Sequence, residues 1–153
     1  MPLLKRFWLY PMNDVATDVD APPALDGRDG APGAGPAMTE VRKEKVRRGY
    51  PDLLGGLLLP LPPAEALALA ETHARAQRGW SVRRRDEVAG LFTAVAVTRL
   101  LRFTDDITVR VRPAPGGARV DVRSRSRLGR DDLGANAARI RHFFRELRAA
   151  LPR

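Results

Sequence analysis

Ile107-Thr108-Val109-Arg110-Val111-Arg112 and Arg119-Val120-Asp121-Val122-Arg123-Ser124-Arg125-Ser126-Arg127 decide the fold, because both alternate apolar and polar residues with a period of two. Pro113 to Gly117 between them is turn chemistry, so the two segments form a β-hairpin. Ile107, Val109 and Val111 take one face, together with Val120, Val122 and Ser124. A slip of one residue would expose the valines, which restricts the pairing. Among the allowed registers, one sets Arg110 opposite Asp121 and Asp106 opposite Arg125; its neighbours set Arg110 opposite Arg119 or Arg123. Like charges disfavour those two, so the first is expected. The outer face then carries Arg110, Arg112, Arg119, Arg123, Arg125 and Arg127 against Asp106 and Asp121.

Beyond the hairpin, Leu133, Ala137, Ile140, Phe144, Leu147 and Leu151 recur at spacings of four and three, with Phe143 beside them, which predicts an amphipathic helix over 131–151 capped by Asp131. Upstream, strands are expected at 81–85 and 91–98. A first helix starts at Pro63 or Ala64, buries Leu67, Ala70, Ala74 and Gln77, and stops at Gly79, with Trp80 anchoring its exit. The fold class is α+β: a four-stranded antiparallel sheet with two helices packed on one face in helix, strands, helix order, plus an extended N-terminal strap. The 153 residues suit a single domain, 1–62 as strap and 63–153 as compact core. Within the strap, 21–37 is Ala, Gly and Pro without a hydrophobic period and reads as a flexible loop. Glu40 to Arg48 reads as a solvated connector, and the Leu-rich Tyr50 to Pro63 as an extended segment across the core.

The net charge of +9 is all in the second half: residues 81–153 hold seventeen Arg against eight acids, while 1–80 balance ten with ten. Such a field favours polyanionic partners, although an Arg-rich, Lys-poor composition also arises without selection for binding. Cys is absent and His73 and His142 are far apart, so thiolate chemistry and a local metal motif are excluded, and no cofactor is expected. Lys5 and Arg6 precede too few apolar residues for a secretory signal, and the run Leu53 to Leu61 is too short and broken to span a bilayer. The expected location is cytoplasmic, or peripheral to a membrane.

Each candidate site has a structural alternative. The basic outer face could bind an anion, or be solvated or covered within the molecule; it lacks the aromatic platforms of single-strand binders, so sequence-specific nucleic acid is disfavoured. The transition from Ser124 to Asp132 could present a helix N-terminus to phosphate, but Asp131 and Asp132 already occupy that position and serve as caps. Asp105 and Asp106 point to opposite faces and cannot converge as acid and base; Arg125 is the expected partner of Asp106. Asp14, Asp18 and Asp20 lack the Gly and distal Glu of a calcium loop and are better paired with the basic face.

Asn13 to Asp18, Tyr50 to Leu53, the Pro63–Trp80 helix, Phe103 to Ile107 and the long run from Val120 to Asn136 resemble a family of bacterial and plastid proteins, domain of unknown function 1499. The resemblance covers nearly the whole chain and brings no activity, cofactor or catalytic residue with it. It implies that the N-terminal strap belongs to the domain and docks on the sheet. It also singles out Asp105, Asp106, Arg123, Ser124, Ser126, Arg127, Asp132 and Asn136 as the polar positions around any site, to which the hairpin reading adds Arg125. The expected function is a non-enzymatic binding or scaffolding module whose basic sheet face meets an anionic partner: an acidic protein, anionic lipid or phosphate ligand. The alternatives are an enzyme acting on a small anionic substrate near Arg127 and Asp132, or an assembly factor docking an acidic protein.

Overall fold

The computed structural model describes residues 12–153, so the reading of Lys5 and Arg6 lies outside the described residues. Its elements are β1 (Asp14–Ala16), α1 (Glu40–Gly49), a 3-10 turn (Pro51–Leu53), β2 (Leu57–Leu59), α2 (Pro63–Ala76), β3 (Trp80–Asp86), β4 (Leu91–Val97), β5 (Thr104–Ala114), β6 (Gly117–Ser126) and α3 (Ala135–Ala149). The sheet is antiparallel in the order β1-β6-β5-β4-β3, and β2 shares the outer edge of β6 with β1. The central hairpin has the expected register, Arg110 opposite Asp121 and Asp106 opposite Arg125. Its turn tightens to Pro115-Gly116, and β2 passes so close that a Cβ on Gly117 would lie 2.0 Å from the Leu59 carbonyl oxygen.

One face of the sheet is the core. Phe92, Ala94, Ile107, Val109, Val111, Val120 and Val122 are buried with Leu67, Ala70 and Ala74 of α2 and with Ala137, Ile140, Phe143, Phe144 and Leu147 of α3. Fully burying each large side chain contributes about 1.5–3 kcal/mol. Trp80 closes the cluster, its ring 5.3 Å from that of Phe143.

The structure departs from the sequence reading in five places. Among the described residues the sheet has six strands and there are three helices, where four and two were expected, because β1 and β2 are three-residue segments that only tertiary pairing makes into strands. Residues 40–49 are a helix, not a connector: Thr39 accepts a hydrogen bond from Arg42 N, Glu44 pairs with Arg47 and Arg48, and Val46 alone is buried. The 21–37 segment is held in place, with Gly35 N donating to Leu25 O at 2.8 Å, Gly27 N to Ala31 O at 2.8 Å, and Leu25 buried. The last helix starts at Ala135, because Leu133 and Gly134 have φ of 53° and 84°; Leu133 leaves the apolar stripe, and Asp132 rather than Asp131 meets the helix start. The Tyr50–Pro63 segment is extended only at β2; it buries Leu53, Leu57 and Leu59 and leaves Leu58 exposed.

Candidate functional site

The alternation in β5 and β6 sends their guanidiniums to the face away from α2 and α3, and the N-terminal strap lies over that face. Arg123 is 2% exposed and Asp14 fully buried; they form two hydrogen bonds, Nε to Oδ1 at 3.0 Å and Nη2 to Oδ2 at 2.9 Å. Arg123 also donates to the carbonyls of Pro23 and Pro36. Beside it, Arg110, Arg112 and Arg119 surround Asp18 and Asp121, with Arg112 Nη2 at 2.8 Å from Asp18 and 3.0 Å from Asp121. Arg112 and Arg119 face each other in the ladder, and Asp121 between them removes the repulsion. Burial pushes the Asp18 carboxyl up, but the Ala21 N–H and the Arg112 and Arg119 guanidiniums outweigh it and hold its pKa below the usual value. Most of the basic face is therefore covered and paired within the molecule, with Asp14 and Asp18 among the partners as the sequence suggested; Asp20 instead pairs with Arg47 of α1.

Further along the same face the strap lifts into a loop, and two adjoining cavities of about 630 Å³ and 350 Å³ open beneath it. Asp26 anchors the loop by accepting from Arg84 at 3.0 and 2.8 Å and from Thr93 at 2.8 Å. Burial raises the Asp26 pKa, and the Arg84, Gly33 N–H and Thr93 hydrogen bonds more than reverse this. A β-bulge between Val82 and Arg84 lets Arg83 and Arg84 both line the larger cavity while Val82 and Arg85 turn toward the core and Glu71 of α2. Arg127 holds Asp106 through two hydrogen bonds at 2.9 and 2.8 Å, and Arg28 donates to the Arg127 carbonyl. This corrects the expected Asp106–Arg125 pair: the diagonal neighbour Arg127 takes the carboxylate although Arg125 stands directly opposite.

Arg125 is thereby left over. Its Nη1 is buried and has no hydrogen-bond partner among the described residues. Burial lowers its pKa; Asp14 opposes this, while the nearby Arg42, Arg123 and Arg28 act in the same sense as burial. A half-buried cation among cations lines the smaller cavity with Arg28, Ser126 and Arg127. Such a site can hold an anion. Its carboxylates Asp26 and Asp106 are each committed to an arginine.

The remaining sequence candidates fall on the helix-facing side. Asn136 Nδ2 donates to Ser126 Oγ at 3.0 Å and Asp132 Oδ2 at 2.7 Å, while its Oδ1 accepts from Ser124 Oγ at 2.6 Å and Arg139 at 2.8 Å. Arg139 reaches Asp105 at 2.6 Å. Asp132 accepts from Gly134 N and Asn136 N; burial raises its pKa, and Asp131 adds to this. These residues fasten the start of α3 to the end of β6. The nine candidates thus divide: Asp106, Arg123, Arg125 and Arg127 on the strap side, Asp105, Ser124, Ser126, Asp132 and Asn136 on the helix side or at its start. Asp132 and Arg127 do not converge on one cavity. The sequence reading missed Asp26, Arg28, Arg83, Arg84 and Thr93; the only local signal for them was the turn-like Asp26-Gly27-Arg28-Asp29-Gly30.

A family model described as protein of unknown function (DUF1499) matches residues 14–147, most of the chain. No curated protein is similar enough to the chain to count as a match.

Proposed function

The chain belongs to the DUF1499 family, which carries no activity with it, and we propose from its own geometry that it is a non-enzymatic binding module for an anionic partner. The anionic group enters the cleft beneath the 26–36 loop and is held by Arg125, with Arg28 alongside. The observation that carries this reading is the unpartnered Nη1 of Arg125, in a structure whose other strap-side arginines of β5 and β6 are matched to carboxylates. An unmatched, desolvated guanidinium costs free energy that an incoming carboxylate or phosphate would recover. The enzymatic alternative has less support, because Asp132 is occupied at the helix start and the cleft carboxylates are tied to arginines.

Thermal unfolding in increasing inorganic phosphate tests the proposal. Saturating a site on the folded state stabilises it by about 2.7 kcal/mol at a hundredfold excess over Kd. The wild-type midpoint should rise and that of Arg125→Met should not; equal responses would refute the site.

A further inference from the structure

Several arginines left outside the strap gather at one end of the sheet, together with exposed leucines. Thr98 and Phe103 close the β4–β5 hairpin through Thr98 N to Phe103 O and Phe103 N to Thr98 Oγ1, both 2.8 Å, leaving Arg99-Leu100-Leu101-Arg102 as its tip. Leu100 is 90% exposed and Leu101 65%. Arg127 N donates to Thr104 O, so the β5–β6 ladder continues past its last pair and brings exposed Leu128 beside exposed Phe103. Arg102 holds φ of 52°, a left-handed conformation in which glycine would be unstrained. The fold requires neither the leucines nor that arginine at this turn.

The charge lining the space behind the tip is also one-signed. A cavity of about 600 Å³ behind the tip is lined by Arg78, Arg99, Arg102 and Arg139 with Trp80, and by no Asp or Glu. Arg139 is tied to Asp105, but Arg78, Arg99 and Arg102 have no carboxylate partner among the described residues. The opposite end of the sheet serves as an internal control: the β3–β4 turn also exposes a valine, Val88, yet it carries Asp86 and Glu87 paired to Arg84 and Arg85. Exposed leucines flanked by unneutralised arginines match one kind of surface, an apolar interior beneath a layer of phosphates.

We propose that this end docks on an anionic lipid bilayer, with Leu100 and Leu101 entering the interface and Arg78, Arg99 and Arg102 meeting the headgroup phosphates. The site is separate from the Arg125 cleft and does not depend on it.

Co-sedimentation of the full chain with vesicles tests the proposal. The chain should pellet with phosphatidylcholine–phosphatidylglycerol vesicles at low salt, less at moderate salt, and not with phosphatidylcholine alone. Arg99→Gln with Arg102→Gln should weaken binding about thirtyfold, since each arginine near an anionic surface contributes roughly a fivefold effect. Leu100→Ser with Leu101→Ser should weaken it roughly tenfold or more with an unchanged thermal midpoint. Arg125→Met should bind vesicles as the wild type does. The proposal is overturned if the wild type does not pellet, if either tip double variant binds normally, or if Arg125→Met alone abolishes binding. It is also overturned if the leucine variant unfolds at lower temperature or shifts from dimer to monomer, since the tip would then be covered within the molecule or by a second copy.

Discussion

Arg123 and Arg102 lie on the same sheet and have opposite fates. Arg123 is 2% exposed, clamped by Asp14 and by two strap carbonyls; Arg102 stands at a strained turn with no carboxylate paired to it among the described residues. The difference is the reach of the N-terminal strap. Asp14, Asp18 and Asp26 come from the electrically balanced half of the chain and are placed on the arginine-rich half, where they match Arg123, Arg110, Arg112 and Arg84. Net charge is thereby moved, not removed. Among the arginines that the strap does not pair are Arg125 in the cleft and Arg78, Arg99 and Arg102 around the hairpin tip. A uniform basic surface would have suggested unspecific attraction to any polyanion, whereas the two binding proposals above rest on two particular groups of arginines left outside that pairing.

The contrast is broken most severely from the covered side. Asp14→Ala leaves a buried guanidinium without its counter-charge and should cost about 3–5 kcal/mol in denaturant unfolding. Adding Arg123→Met to that variant should restore much of the loss, because an apolar side chain of similar length needs no partner; failure to do so would mean that the strap is held by something other than this pair. Asn136→Ala, which strands Ser124, Ser126 and Arg139 groups at the start of α3, should cost about 2–4 kcal/mol across several lost or unsatisfied bonds.

Acid should loosen the same contacts. The folded-state pKa values of Asp18 and Asp26 lie below their ordinary value, so the stability they supply is complete above the unfolded-state value near 3.8 and is lost as the pH falls through their lower folded values. Asp132 works in the opposite sense, since its raised pKa favours the folded state on protonation. Stability measured between neutral and strongly acid pH should therefore fall less steeply in Asp18→Asn than in wild type. The smallest effect is at the unmatched cation: Arg125→Met removes it and should raise stability by about 0.5–2 kcal/mol in the same denaturant measurement.

The central hairpin was legible because its alternation and cross-strand charges are local, and Arg110 opposite Asp121 follows from the residues alone. The covering of the basic face was half legible: acids at 14 and 18 invited the pairing, but nothing local indicates that 21–37 is ordered. Its partners, Thr108, Arg123 and Arg127, lie far along the chain, and its Ala, Gly and Pro show no period. Helix α1 was missed for a related reason, since it buries little besides Val46 and is held by a Thr39 cap and by Glu44 with Arg47 and Arg48. Of the cleft, the sequence showed Arg125 and Arg127 but assigned Asp106 to the wrong one, because direct opposition in a ladder does not decide which long side chain reaches a carboxylate. The hairpin tip was not read as a site at all; Leu100 and Leu101 were invisible as exposed residues until the turn was placed.

Phenylglyoxal labelling of the folded protein, with each modified arginine located by mass spectrometry, tests the division most directly. Arg78, Arg99 and Arg102 should react fast, while Arg110 and Arg123 should stay unmodified until the chain unfolds. Comparable labelling of Arg123 and Arg102 in the native state would contradict the account, since the strap would then not be sealing the face it is said to neutralise.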